Sequence, residues 1–517
     1  MNVAMILDMA AGGYGDRICI GPTDGGVSYE RLAALAGGVA QGLGEPGGTL
    51  AVVAPTGLHT PVALFGAAAA GWSYAPLNYR LPPASLAELV ERLGPDVLLA
   101  DAERGEALGP PDAGGPVGGV SGGGASGGGA GTGWRDVGGW FETLRASTGG
   151  PFAPPDSPSA PAVVLYTSGT SSAPKAALLD HDHLLSYILT TVEFGSAEPD
   201  EAVLLAVPPF HIAGVAAVLT SCYIGRRIVP LAQFSADAWL RTAAAEQVTH
   251  AFVVPTMLAR IVAAMEAEPA LRVPSIRHLA YGGARMPLPV LERALDLFPE
   301  ADFVNAYGLT ETSSTVAVLS PDDHREARRG DPAARRRLQS VGQPLPGIEV
   351  QIAGDEGAGP LDAGQEGEVW LRGAQIGGSY QGTGSRLDPE GWLHTGDQGF
   401  VDEAGYLFVV GRLDDMIISG GENISPAEIE DQLLRHPSVA AVAVVGVSDP
   451  QWGERVGAMV VLREEAPVTE DDLVAWTRER LGSLKTPTVL LFEGELPVTD
   501  TGKVVKRTVR ERLQSTT

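Results

Sequence analysis

The sequence predicts an α/β protein built on sheets with substantial parallel character, followed by a smaller unit of short strands and helices. Two observations carry this. Short apolar runs alternate with helical segments over most of the chain, and the texture changes to strands and tight turns after about Gly396. In chain order, Leu50-Ala51-Val52-Val53 precedes a helical segment from Pro61 to Ala70. The helical pattern Ala84 to Leu93 precedes Val97-Leu98-Leu99, and the run Val203 to Val207 precedes a helix from Ile212 to Leu219. From Gly105 to Gly133 the chain is Gly, Pro, Ser and Ala with almost no large apolar residue, so a flexible surface loop is expected there. Beyond Gly396, Gly399-Phe400-Val401-Asp402 and Gly405 to Val410 read as a hairpin. A helix from Ala427 to Leu434, strands at Val439–Val447 and Met459–Leu462, and a helix near Asp471 to Leu481 follow. The boundary is expected beside Arg412-Leu413-Asp414-Asp415, dividing 1–413 from 414–517.

The chain has 517 residues, 44% apolar and 19% charged, enough for two or more domains with a large core. Its formal charge of -27, from 36 basic against 63 acidic residues, argues against a nucleic-acid partner or an anionic membrane surface. Cys19 and Cys222 offer neither a disulfide framework nor a zinc cluster, which fits a reducing cytoplasm. Met1 to Asp8 has no basic lead-in and no long apolar run, so no secretory signal is expected. The stretch Pro61 to Pro76, interrupted by Gly66, Gly71 and Ser73, is too short to span a bilayer.

The segment Tyr166-Thr167-Ser168-Gly169-Thr170-Ser171-Ser172-Ala173-Pro174-Lys175 follows a Val-Val-Leu run. Neighbouring hydroxyls, a glycine without Cβ and successive backbone N–H groups make a donor surface for phosphate oxygens, and Lys175 adds a mobile positive charge. It is not a Walker loop, because Pro174 precedes the lysine and Ala176 follows it.

This loop resembles the nucleotide loop of the adenylate-forming superfamily, which comprises acyl- and aryl-CoA synthetases, peptide-synthetase adenylation domains and firefly-type luciferases. Asn305-Ala306-Tyr307-Gly308-Leu309-Thr310-Glu311, His394-Thr395-Gly396-Asp397, Gly411-Arg412-Leu413-Asp414-Asp415 and Thr501-Gly502-Lys503 resemble further motifs of that family in family order. Together they cover most of the chain. The resemblance implies the family fold: a large N-terminal domain of packed mixed sheets with flanking helices and a small mobile α+β C-terminal domain. It implies the family reaction as well, in which a carboxylate and ATP give an acyl-AMP and pyrophosphate, and a thiol then displaces AMP.

By the same resemblance, Thr167, Ser168, Gly169, Thr170, Ser171 and Lys175 surround the phosphates and Thr310 lies near the α-phosphate. Glu311 with Thr170 holds Mg²⁺, and Lys503 bridges the developing charge. Tyr307 stacks on adenine within a nucleotide wall of Gly283, Ala284, Asn305, Ala306 and Gly308. Asp397 accepts from the ribose hydroxyls, Arg412 supports the ribose, and Asp414 is the hinge about which the C-terminal domain swings to serve both half-reactions.

Met416 to Glu430 resembles acyl-CoA and benzoate-type CoA ligases, which implies coenzyme A as co-substrate beside ATP and Mg²⁺. Gly420 and Gly421 would admit a narrow pantetheine arm, with Trp452 and Lys485 at positions resembling CoA-contacting ones. A stand-alone adenylating enzyme that loads a carrier protein is the alternative. Pro208 to Gly214 resembles the substrate-pocket segment, so His211, Ile212 and Gly282 are candidates for lining the acyl pocket. His211 is read equally as a satisfied structural histidine. The absence of an Asp soon after Phe210 disfavours an α-amino acid, and an aliphatic or aromatic carboxylate fits the small and apolar residues there. The chain departs from the family where Ser172, Ala176 and Ala306 replace glycine. A left-handed backbone at such a position would cost a Cβ-bearing residue about 1–2 kcal/mol. The segment Arg325 to Arg337 is expected to be a solvated loop or short helix, with steering of an anionic partner as the functional alternative.

Overall fold

The computed structural model describes residues 1–110, 133–158, 160–167, 174–354, 359–382, 384–419, 422–463, 468–499 and 502–516. Two large sheets dominate. In the nine-stranded sheet, Ile18–Ile20, Arg227–Pro230, Ala202–Leu205, His250–Val253, His278–Gly282 and Asp302–Leu309 run parallel in that spatial order, with antiparallel strands at both edges. The eight-stranded sheet has a parallel half, Trp134–Asp136, Val97–Ala100, Thr49–Val53, Ser73–Pro76 and Val163–Thr167. It continues antiparallel through Lys175–Leu179, Ser379–Tyr380 and Gly384–Ser385. The fold class is thus the mixed α/β architecture expected from the sequence.

The central strands are short and apolar because helices cover both faces. All four residues of Ala202–Leu205 and of Ser73–Pro76 are buried. The helix expected over Ile212–Leu219 extends to Ile224, because its apolar run continues to Gly225. That glycine takes φ +86° and returns its N–H to the Ser221 carbonyl.

A third, four-stranded antiparallel sheet joins Glu349–Ala353, Gly367–Arg372, Leu393–Val401 and Leu407–Arg412, the last two forming the expected hairpin. A fourth sheet holds Glu422–Ile424, Ile417–Ser419, Gly453–Leu462, Val439–Asp449 and Val489–Phe492. Its two strands from Val439 and Gly453 are longer than the apolar patterns suggested, since they pair continuously across Ser448 and Glu454. The two apolar cores flanking this sheet draw only on residues from Ile417 onward, and the other cores only on residues up to Val409.

One expectation needs correction and another resolves to one of its alternatives. Gly105 is not in a loop but in the helix Ala102–Ala107, buried where a Cβ would strike the Trp134 indole. The Gly/Ser-rich part, 111–132, lies outside the described residues. The arginine-rich segment, expected as a solvated loop or short helix, forms two short helices, Pro321–Arg328 and Pro332–Arg337. Arg325 pairs with Asp302 and Asp322, Arg335 with Glu292 and Arg337 with Asp323 and Glu326, while Arg336 lies over the Phe408 ring. Most of that charge is therefore answered within the fold. No helix among the described residues is long and apolar enough to cross a membrane.

Candidate active site

The candidate residues converge where the sheets meet. Thr167 and Lys175 are register partners at the ends of adjacent antiparallel strands. Ser168, Gly169, Thr170, Ser171 and Ser172 lie outside the described residues. Lys175 is exposed, and the Thr167 hydroxyl donates to its carbonyl at 3.4 Å. Ala176, in register with Tyr166, does not have a left-handed backbone, so no strain attaches to its replacing glycine.

On the neighbouring strand Tyr380 lies beside Ala177. Its hydroxyl donates to Oε1 of Glu311, which also accepts from Arg386 Nη1 at 2.9 Å. Glu311 belongs to the turn Thr310–Thr312 that ends the strand Asp302–Leu309, and it is 9% exposed. Burial, reinforced by this carboxylate, raises the Tyr380 pKa to about 12. Among the described residues no cluster of three or more His, Cys, Asp or Glu side chains could cage a metal. A lone buried carboxylate is a hard oxygen donor suited to Mg²⁺, which keeps waters and takes its remaining ligands from phosphates.

On the opposite wall the Tyr307 hydroxyl donates to Asp397 Oδ2 at 2.6 Å. Asp397 and Arg412 face each other across their strands, and Arg412 Nη1 donates to Asp397 Oδ1 at 2.8 Å and to the Thr395 carbonyl at 3.1 Å. Burial and the nearby carboxylate both hold the Tyr307 phenol well above its ordinary pKa. Gly282 and Ala306 are partners on adjacent parallel strands, and a Cβ at Gly282 would strike the Ala306 carbonyl. Gly283, at φ +79°, and Ala284 form an exposed lip. Asn305 is engaged structurally, donating to the Ser340 carbonyl at 3.1 Å, and Gly308 packs against the Ser314 carbonyl where no Cβ would fit.

Lys503 enters from the far end of the chain. A hairpin closed by Thr499 N to Lys503 O at 2.7 Å and Gly502 N to Thr499 O at 2.8 Å presents it. Gly502, at φ +81°, lies so close to Thr256 that a Cβ would strike that hydroxyl. The Lys503 side chain stays open to solvent within a cleft of surrounding protein. Burial in that cleft, with Arg412 nearby, pulls its pKa below the ordinary lysine value, while Asp397 and Asp415 oppose the shift. Lys503 thus lies in the electrostatic field of the Asp397–Arg412 pair.

His211 precedes the helix Ile212–Ile224, its ring 4.7 Å from that of Phe210. Its Nε2 is buried without a hydrogen-bond partner among the described residues, so the ring is not held by a bond at that nitrogen. Burial, aided by Arg80, lowers its pKa to about 4, so the imidazole is neutral at pH 7.

Other candidates are not gathered into this cleft. Trp452 is 51% exposed, and Lys485 donates to Glu428 at 2.6 Å within the C-terminal unit. Gly420 and Gly421 lie outside the described residues, although Ser419 before them pairs with Gly453 beside Trp452. Asp414 occupies an exposed turn, Leu413–Asp415, between the third and fourth sheets. Sequence reasoning missed Tyr380, Arg386, Thr256 and Arg285. The Gly377-Gly378 pair before Tyr380 was the available signal that a backbone turn brings that tyrosine under another element.

The Thr167–Lys175 strand pair, the buried Glu311 carboxylate and the Tyr307–Asp397–Arg412 cluster with Lys503 in its electrostatic field make up the candidate active site. The model for AMP-binding enzymes matches residues 7–381 and that for the AMP-binding enzyme C-terminal domain matches 428–503. The chain belongs to the AMP-binding enzyme family, and it is an AMP-forming acid–thiol ligase. A feruloyl-CoA synthase from Amycolatopsis is 34% identical over 496 residues, 93% of this chain and 92% of that protein. A 2-succinylbenzoate–CoA ligase from Bacillus licheniformis is 36% identical over 349 residues, 67% of this chain and 69% of that protein. Among solved structures, o-succinylbenzoate CoA synthetase (MenE) from Bacillus subtilis, in complex with its acyl-adenylate intermediate, superposes with a TM-score of 0.79 at 27% identity. That match covers 98% of this chain and 97% of the other. MenE has also been solved with ATP and a magnesium ion.

Proposed function

We propose that this cleft activates an aromatic carboxylic acid with ATP and passes the acyl group to coenzyme A. The observation that carries the reading is the meeting of the Thr167–Lys175 hairpin, Glu311, the Asp397–Arg412 pair and Lys503, each from a different sheet or unit. In the first step the acid's carboxylate oxygen forms a bond to the α-phosphorus, the bond to the β-phosphate oxygen breaks, and pyrophosphate leaves. Thr167 to Thr170 and Lys175 hold the phosphates, Thr310 faces the α-phosphate, and Lys503 neutralises charge on the oxygens that bring the two anions together. Bound Mg²⁺, held by Glu311 with Thr170, supplies charge neutralisation for the polyphosphate. Asp397 accepts from the ribose hydroxyls with its other contacts made by Tyr307 and Arg412, and Tyr307 presents its ring to adenine.

In the second step the thiolate sulfur of coenzyme A attacks the acyl carbon and AMP departs, the thiol proton passing to solvent. Residues 1–413 and 414–517 act as two bodies, turning at Asp414 so that Gly420, Gly421, Trp452 and Lys485 face the acyl-AMP. The exposed turn Leu413–Asp415 supports this hinge. Support for an aromatic acid comes from the neutral His211 at the start of the helix Ile212–Ile224, and from the acids named for the relatives. Cys19 and Cys222, free although their sulfurs lie 3.5 Å apart, accord with a cytoplasmic setting.

An ATP–pyrophosphate exchange screen over aliphatic, benzoic, cinnamic and dicarboxylic acids tests the reading. It is to be followed by mass detection of thioesters formed with coenzyme A or with candidate carrier proteins. Exchange strongest with benzoic or cinnamic acids and a CoA thioester is the expected result. Exchange with no acid would overturn it.

A further inference from the structure

The exposed lip of the cleft continues from Gly283 and Ala284 into Arg285, whose side chain crosses to the C-terminal unit. Its Nη1 donates to Asp431 Oδ1 at 3.0 Å, its Nη2 to Asp431 Oδ2 at 2.5 Å, and Nη1 also reaches the Ala427 carbonyl at 3.3 Å. The two-pronged guanidinium matches the two carboxylate oxygens, a geometry that fixes orientation as well as distance. Asp431 lies on the helix Pro426–Leu434, and its side chain is 14% exposed against 31% for Arg285. Among the described residues this is the one ion pair that joins the chain before residue 413 to the chain after 414.

The pair sits at the same closure that brings Gly502 against Thr256 and Lys503 into the field of Asp397 and Arg412. We propose that Arg285 and Asp431 form a latch that holds the C-terminal unit in the orientation presenting Lys503. Arg285 is then a positioning residue for acyl-AMP formation, and the latch opens before thiol transfer. Because Arg285 adjoins Gly283 and Ala284, a nucleotide resting on that lip stiffens the strut on which the latch is mounted. Departure of pyrophosphate leaves the fork as one of the restraints to be broken. The inference rests on the two-body reading given above, to which it adds the contact that sets the balance between orientations.

Two half-reactions separate latch from scaffold in the full-length protein. ATP–pyrophosphate exchange with the best acid reports the closed orientation, and conversion of supplied acyl-AMP and coenzyme A to thioester reports the other. Asp431→Asn and Arg285→Gln are expected to lower exchange about 3- to 30-fold, the range for a partly exposed two-pronged pair, while thioester formation from supplied acyl-AMP stays level or rises. The reversed pair, Arg285→Asp with Asp431→Arg, is expected to regain most of the exchange activity. Protease cleavage at the Leu413–Asp415 turn should quicken in the single variants and slow again in the reversed pair. Equal loss of both half-reactions, or no rescue by reversal, would overturn the latch and leave a merely structural contact. Wild-type exchange with unaltered variants overturns the latch alone. A wild-type protein that exchanges with no acid overturns the functional reading, and the latch with it.

Discussion

Tyr307 donates its hydroxyl across two sheets to Asp397 at 2.6 Å, leaving the other oxygen of that carboxylate to Arg412. Asp397 is only 4% exposed, so its charge depends on these partners. Asp397→Asn should weaken ATP binding about 10- to 100-fold, since it removes the proposed ribose acceptor and leaves Arg412 without its counter-charge. Tyr307→Phe, which deletes one neutral donor, should cost about 2- to 10-fold. Calorimetric ATP titration of both variants checks the order, and equal affinities would contradict it.

Lys503 sets a pH limit. Burial and Arg412 depress its pKa, so the ammonium is lost at lower pH than in a free lysine, and acyl-AMP formation should fall on the alkaline side below pH 10.5. The sign for stability is opposite. Keeping this lysine charged penalises the folded state below its lowered pKa, and that penalty is relieved as pH rises toward the ordinary lysine value. Lys503→Arg should move the alkaline limb upward. Lys503→Ala should reduce pyrophosphate exchange at least about 100-fold yet spare thiolation of supplied acyl-AMP.

Gly502 faces two constraints, a left-handed backbone and the Thr256 hydroxyl. Gly502→Ala should lower pyrophosphate exchange by 10-fold or more. Adding Thr256→Ala should recover only part of it, because about 1–2 kcal/mol of backbone strain remains. Full recovery in the double variant would assign the whole effect to the clash.

Glu311 shares one carboxylate oxygen between Tyr380 and Arg386, so two donors fix the orientation of the carboxylate proposed to hold Mg²⁺. Glu311→Gln should raise the Mg²⁺ concentration needed for half-maximal ATP binding by about 10-fold or more. Tyr380→Phe should raise it by about 2- to 10-fold, the value of one hydrogen bond to a charged group. Fluorescence titration of ATP at graded Mg²⁺ reads both.

His211, its pKa lowered to about 4 by burial, is neutral at pH 7 and above. His211→Ala should therefore change which acids support exchange without changing the pH profile over that range. A new pH dependence in the variant would assign His211 a charged role instead.

The parts legible in the sequence were those encoded locally. The apolar run from Ile212, the strand before Thr167 and the hairpin before Arg412 each announce themselves within a few residues. Contacts made across sheets left no such trace. Tyr380 reads as a turn residue among glycines until the strand Ser379–Tyr380 pairs with Lys175–Leu179 and turns it under Glu311. Arg285 carries no local sign of its contact, since its partner Asp431 is remote in sequence and on another unit. Gly105 misled in the other direction, because composition alone could not register the Trp134 ring that packs on it. Ser168 to Ser171, Gly420 and Gly421 lie outside the described residues, so the expectations placed on them rest on resemblance.

The close approach of Gly282 to the Ala306 carbonyl leaves no room to tune that wall of the cleft. A larger side chain there would push apart two strands of the parallel sheet rather than reshape a cavity, and it would disturb Tyr307 one residue on. On the proposed roles, change toward new acids runs through His211 and its helix, which sit on a separate connection. On that reading, substrate range and nucleotide chemistry are carried by separate parts of one fold.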